Sequence, residues 1–172
     1  MAFDGWGNDQ GALGGGKKPA ESPVDRSKQG TKRSLLVEAS GVPVGLSVAG
    51  ANRNDFKLLA ESIQSIPVPR LEPLAEAPQH LCLDKGYDFE EVRRLAAAFG
   101  FVAHIRSRGE AAPATEAKPG QQARRWVVER THSWMNRFRS LLIRWAKKPE
   151  NYLGLLHFVC GLIAYRATGL FG

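Results

Sequence analysis

The sequence is poor in cysteine, in long apolar runs and, over one stretch, in acid. Cys82 and Cys160 are the two cysteines among 172 residues. No CxxC spacing joins them, which excludes a disulfide scaffold and predicts buried free thiols in a reducing compartment. The longest apolar run, Tyr152 to Tyr165, contains His157 and falls short of the roughly 20 residues that a bilayer crossing needs, so it reads as a core helix with no membrane partner. The start, Met-Ala-Phe-Asp-Gly-Trp, lacks a basic segment followed by an apolar one, so no secretory signal is expected and a cytoplasmic location is. Internal repeats are absent as well.

Acid is scarce where base is concentrated. From Arg106 to Lys148 three acids (Glu110, Glu116, Glu129) face eleven Lys and Arg, although the whole chain carries only +7. A smaller basic cluster, Lys17 to Arg33, lies nearer the start. Charge this localised points to a polyanion, with nucleic acid first among candidates; an ordinary solvated face is the bland alternative. With 43% apolar residues the chain has material for one packed domain over 1–172.

The Gly-rich, aperiodic stretch 5–31 reads as a loop. Strand patterns over 33–38 and 44–49, joined by Ser40-Gly-Val-Pro43, predict a β-hairpin. Helical spacing follows over 54–63, then a strand over 80–84, a helix over 88–99 and a strand over 101–105. A Gly/Pro/Ala/Glu/Lys spacer covers 107–122. One long helix is expected from about 123 to 147, with Val127, Trp134, Phe138, Leu141 and Trp145 as its apolar stripe, and Pro149 then opens a last helix over 150–166. Hairpin, helix, strand, helix, strand, helices is the order of an α/β domain.

Two segments could carry chemistry. Leu81-Cys-Leu-Asp84 is an apolar strand that ends in Asp, and the carboxyl end of an α/β strand faces the crevice where ligands bind. Asp88 is better read as the cap of the following helix. His80, Cys82 and Asp84 alternate onto one side of the strand, but three zinc ligands from a single strand would be unusual. In Arg124-Arg-Trp-Val-Val-Glu-Arg-Thr-His-Ser-Trp134, Glu129 is the one acid among arginines. Helical spacing puts Arg125, Glu129, His132, Ser133 and Asn136 on one polar face, and a bare Arg125–Glu129 ion pair would explain Glu129 as well. Hard divalent cations need more carboxylates than these two. Asp4, after Ala2-Phe3, is the candidate third, with a frayed terminus as the competing reading. Asp25 and Asp55 stand in reserve.

Taken in order, Asp4-Gly5, Ser22 to Arg33, Gly50-Ala-Asn-Arg-Asn-Asp55, Leu83-Asp-Lys-Gly-Tyr-Asp88 and Arg124 to Trp134 resemble the catalytic half of bacterial insertion-sequence DDE transposases of the insertion-sequence-five family. The resemblance implies a ribonuclease H-like mixed sheet flanked by helices, with an incomplete first strand and C-terminal helices. Asp4, Asp84 and Glu129 would be the catalytic carboxylates, holding two Mg²⁺ or Mn²⁺ ions. Double-stranded DNA and further copies of the chain would be the partners, at the nucleoid. Arg125, Arg130, Arg137, Arg139, Lys32 and Arg33 would grip phosphate. Arg125 matches the family's helical motif, whereas Gln122 stands where the family has Tyr, and Asn136-Arg137 replaces its Lys. Three residues precede Asp4, so the N-terminal region with which relatives read inverted repeats is expected to be absent. The function implied is metal-dependent cleavage and strand transfer at element ends; the alternative is an inactive transposase fragment that binds DNA without sequence preference or regulates the intact enzyme. A small RNA-binding protein ranks last, for want of an aromatic-rich strand motif.

Overall fold

A computed structural model describes residues 20–21, 29–105 and 125–170. Strands β1 (Ala20–Glu21), β2 (Gln29–Val37) and β3 (Pro43–Gly50) form an antiparallel sheet in that order. Helix α1 (Asp55–Gln64) follows. Strand β4 (Gln79–Leu83), helix α2 (Glu90–Ala98) and strand β5 (Phe101–Ile105) form a βαβ unit whose strands pair in parallel, Leu81 opposite Ala103. Helices α3 (Arg125–Asn136), α4 (Arg139–Leu142) and α5 (Pro149–Ala167) complete the described chain.

Strand β3 organises the packing because both of its faces are covered. Leu46 and Val48 point into a core with Met135, Leu141, Tyr152, Leu156, Val159 and Ile163 from the last three helices. The alternate residues Gly45, Ser47 and Ala49 turn toward α1. There the Ser47 hydroxyl lies 2.8 Å from that of Ser62, which is also 2.9 Å from the Leu58 carbonyl and 2.8 Å from the Ser34 hydroxyl, so the hydroxyls buried in this contact have partners. The far face of α1 contributes Leu59 and Ile63 to a second core with Leu81, Val92 and Ala96. Burying side chains of this size stabilises by about 1.5–3 kcal/mol each, which outweighs the modest propensity of a ten-residue helix.

The mixed α/β class is as expected, but the described strands form two separate small sheets rather than one mixed sheet. The first strand expected at Ala2–Asp4 and the spacer 107–122 lie outside the described residues. Part of the expected 5–31 loop is strand, since β2 begins at Gln29 and Gly30 pairs with Ala20. The single long helix over 123–147 is also corrected. Phe138 adopts an extended backbone (φ −83°, ψ 105°) that ends α3 and restarts the chain as α4. The turn drives Leu141 (2% exposed) into the same core as Met135; a straight helix could not keep both inside along with α5. Trp145, expected in the apolar stripe, stands 71% exposed, and the buried positions of α3 are Val127, Thr131 and Met135. Cys82 is exposed, contrary to the expected burial of both thiols. Cys160 is half-buried, and desolvation pushes its thiol up to about 11.

Candidate active site

Asp84 follows β4 directly, at the carboxyl end expected of it. Its carboxylate accepts the backbone N–H of Lys85 at 2.8 Å and so caps the short 3₁₀ turn Lys85–Tyr87. The residue as a whole remains exposed. Asp88 does not cap α2; the cap residue is Phe89, and Asp88 instead takes the Arg93 guanidinium at 2.8 Å, which ties the turn after β4 to α2. Tyr87, half-buried beside this turn, has its phenol pushed up to about 12 by desolvation and by the charges of Asp55 and Asp84.

Glu129 lies mid-helix in α3 on the exposed face, opposite Val127, Thr131 and Met135. The two residues that follow it lock the helix to the β2–β3 turn. Thr131, fully buried, has its hydroxyl 2.7 Å from the Gly41 carbonyl and 3.1 Å from that of Val127. Arg130 is sandwiched between Trp126 and Trp134, its guanidinium 4.6 and 4.8 Å from their ring centres, and donates to the Ser40 carbonyl. Gly41 sits at φ +93°, and a Cβ there would come within 2.8 Å of the Arg130 guanidinium. The turn is held from below by Glu38, whose carboxylate receives the N–H groups of Ser40 and Val42; the Ser40 hydroxyl bond is the main reason its pKa lies below the usual carboxylate value.

Several residues expected at DNA phosphate thus have partners within the fold. Besides Arg130, Arg33 donates to the Asn136 amide oxygen at 3.0 Å, and Lys32 bridges the Arg53 carbonyl (2.9 Å) and the Asp55 carboxylate (3.2 Å). That ion pair gives Asp55 a place in the first turn of α1. Arg137 and Arg139, at the α3–α4 break, are exposed. Asp4 and Asp25 lie outside the described residues, as does the side chain of Arg125. Among the described residues no three His, Cys, Asp or Glu side chains gather as a ligand set, so the one-strand zinc reading finds no support. His80 meets His104 of β5 instead, Nδ1 to Nε2 2.8 Å; this partner could have been read from the parallel register, which places His104 beside Cys82 on the same sheet face.

His132 is half-buried next to Arg33. Desolvation, and then the Arg33 charge, hold its imidazole below the ordinary value near 6.5. The unfolded chain therefore takes up a proton that the folded one resists, and stability present above pH 6.5 is lost as the pH falls through the folded value. Thermal melts stepped from pH 7.5 to 5 are expected to show a falling Tm, with a shallower fall for His132→Gln; equal slopes would remove His132 as the cause.

The chain matches the Transposase DDE domain family over residues 81–166, a span that begins in β4 and takes in both Asp84 and Glu129. It is 35% identical over 154 residues to the transposase assigned to insertion sequence element IS402 of Burkholderia cepacia, covering 88% of this chain and 70% of that one. No solved structure is matched with significance. This chain belongs to the bacterial insertion-sequence DDE transposases. Among the described residues no helix is long and apolar enough to cross a membrane.

Proposed function

We propose that the chain is the catalytic part of a transposase that cuts and joins DNA at insertion-sequence ends, with Asp84 and Glu129 as two of its acid residues and Asp4 as the third. The observation that carries the reading is the placement of Asp84, an exposed residue at the carboxyl end of the strand that Leu81 anchors in the core, inside the span shared with the family. The fold that this reading calls for is a ribonuclease H-like one. Asp84 and Glu129 offer hard oxygen donors from water-exposed positions, which suits Mg²⁺ or Mn²⁺ and leaves room for substrate oxygens. When bound, a pair of such ions polarises the scissile phosphodiester and stabilises the attacking and leaving oxygens. The protein's own part is positional: Arg130 and Thr131 fix the helix that carries Glu129, and the Lys85 N–H orients Asp84.

Arg137 and Arg139, exposed at the break between α3 and α4, are the ones proposed to meet phosphate. Changing both to Ala should weaken binding to every duplex alike and reduce the slope of log K against log salt by about 2, since each phosphate contact contributes about 0.9. An unchanged slope would remove them from the interface. The catalytic reading itself is tested by Mg²⁺- or Mn²⁺-dependent nicking of supercoiled plasmid. Salt-sensitive DNA binding with no nicking in either metal would favour the non-catalytic alternative, a DNA-binding or regulatory fragment.

A further inference from the structure

We infer that Trp145 is a stacking platform for an unpaired nucleobase of bound DNA, an inference that rests on the DNA-binding reading above. Helix α4 ends at Leu142, Ile143 is extended (φ −117°, ψ 114°) and α5 starts at Pro149. In the stretch between them side chains alternate inward and outward. Arg144 turns in: its Nε donates to the Ala146 carbonyl at 3.1 Å, another of its nitrogens donates to the Thr31 hydroxyl on β2, and its guanidinium lies 4.9 Å from the ring centre of Tyr152, itself 3% exposed in the core. With Arg144 pinned at three points, its neighbours Ile143 and Trp145 are turned to solvent, 47% and 71% exposed. The indole is held out by a braced backbone, at the cost of leaving the largest side-chain type in water.

The surroundings select the ligand. No Asp or Glu occurs between Glu129 and Glu150, while Arg137, Arg139, Lys147 and Lys148 are all exposed in the same segment. An apolar protein partner that covered the indole would also meet Lys147 and Lys148, two and three positions further on, and strip water from their charges. A polyanion with flat π faces satisfies both features, and strands whose bases are unpaired present those faces. An enzyme that breaks and rejoins strands at an element end handles DNA whose stacking is locally interrupted, so the platform has a substrate in the proposed reaction.

The test compares a fully paired duplex with the same duplex carrying a short central mismatch bubble, one bubble base being 2-aminopurine. The intact chain is expected to prefer the bubble by roughly five- to a hundredfold, the range for one aromatic–base stack, and to quench the 2-aminopurine. Trp145→Ala should abolish preference and quenching while leaving affinity for the paired duplex, its salt slope and the melting temperature unchanged; Trp145→Phe should retain most of both. Equal losses on the two DNAs, or absence of preference in the intact chain, would overturn the inference and leave the transposase reading standing. A Trp145-dependent change of oligomeric state, or of binding to anionic vesicles, without bubble preference would overturn it in favour of another partner. Absence of all DNA binding would overturn both.

Discussion

Asp84→Asn and Glu129→Gln should each lower the rate of Mg²⁺-dependent plasmid nicking by at least about a hundredfold, the scale on which removal of one transition-state electrostatic contact is felt, while the protein stays folded. Both acids are exposed and neither belongs to a core, so the expected change in stability lies within about 0.5 kcal/mol. The side-chain amide that Asp84→Asn introduces would still offer an oxygen to the Lys85 N–H, so the turn after β4 survives the change. In the proposed site the carboxylates would repel one another when no cation is bound, and removing a like charge would relieve that repulsion. Melting curves alongside the nicking assay separate the possibilities. Lost nicking with an unchanged Tm supports metal-holding acids, whereas a Tm that falls with activity marks the residue as structural.

Gly45→Ala should be the most damaging single methyl in the described fold. A Cβ at this position would collide with the backbone carbonyl oxygen of Ser62 in α1, with Ser65 Oγ 3.3 Å and Leu36 Cβ 3.4 Å away to block any sideways escape. A backbone atom in a helix cannot swing aside as a side chain can, so α1 must lift from β3. That movement opens the Ser47–Ser62–Ser34 hydrogen bonds and strains both cores, because α1 contributes to one and covers the strand that lines the other. Overpacking costs typically 1–3 kcal/mol, and the freed buried hydroxyls about 1–3 kcal/mol more. A loss of about 3 kcal/mol or more is therefore expected, read as a shift of the urea midpoint at constant m. Gly154 and Gly161 supply the control. Both lie inside α5 with nothing within 4 Å of an added Cβ, so Ala at either should stabilise by up to about 1 kcal/mol through helix propensity. A Gly45→Ala variant as stable as the parent would show that α1 and β3 are less closely seated than the structure has them.

Local pattern was enough to place most elements and both described acids. The alternation of Phe101 to Ile105 located β5 without error, the apolar strand ending at Leu83 put Asp84 at its carboxyl end, and Pro149 opened α5. These features depend on residues a few positions apart, and periodicity reports such neighbours directly. The destiny of the arginines was not legible in this way. The resemblance put Arg33 and Arg130 at phosphate, and their partners within the fold, Asn136 and Ser40, lie 103 and 90 positions away. Charge patterning carries no information about which side of a helix another segment will cover.

The same limit explains the C-terminal third. From the sequence alone came a basic, acid-poor helical region with one glutamate, the class of protein to which it belongs, and the acids worth testing. Only the tertiary structure decided that α3 stops at Asn136 so that Met135 and Leu141 can share a core with α5, that Arg144 folds inward onto Tyr152, and that Trp145 therefore faces out. Helical spacing fixes angles around an axis, but whether the axis continues is settled by what the chain can bury against strands far away in the sequence, and that competition is won by packing rather than by propensity.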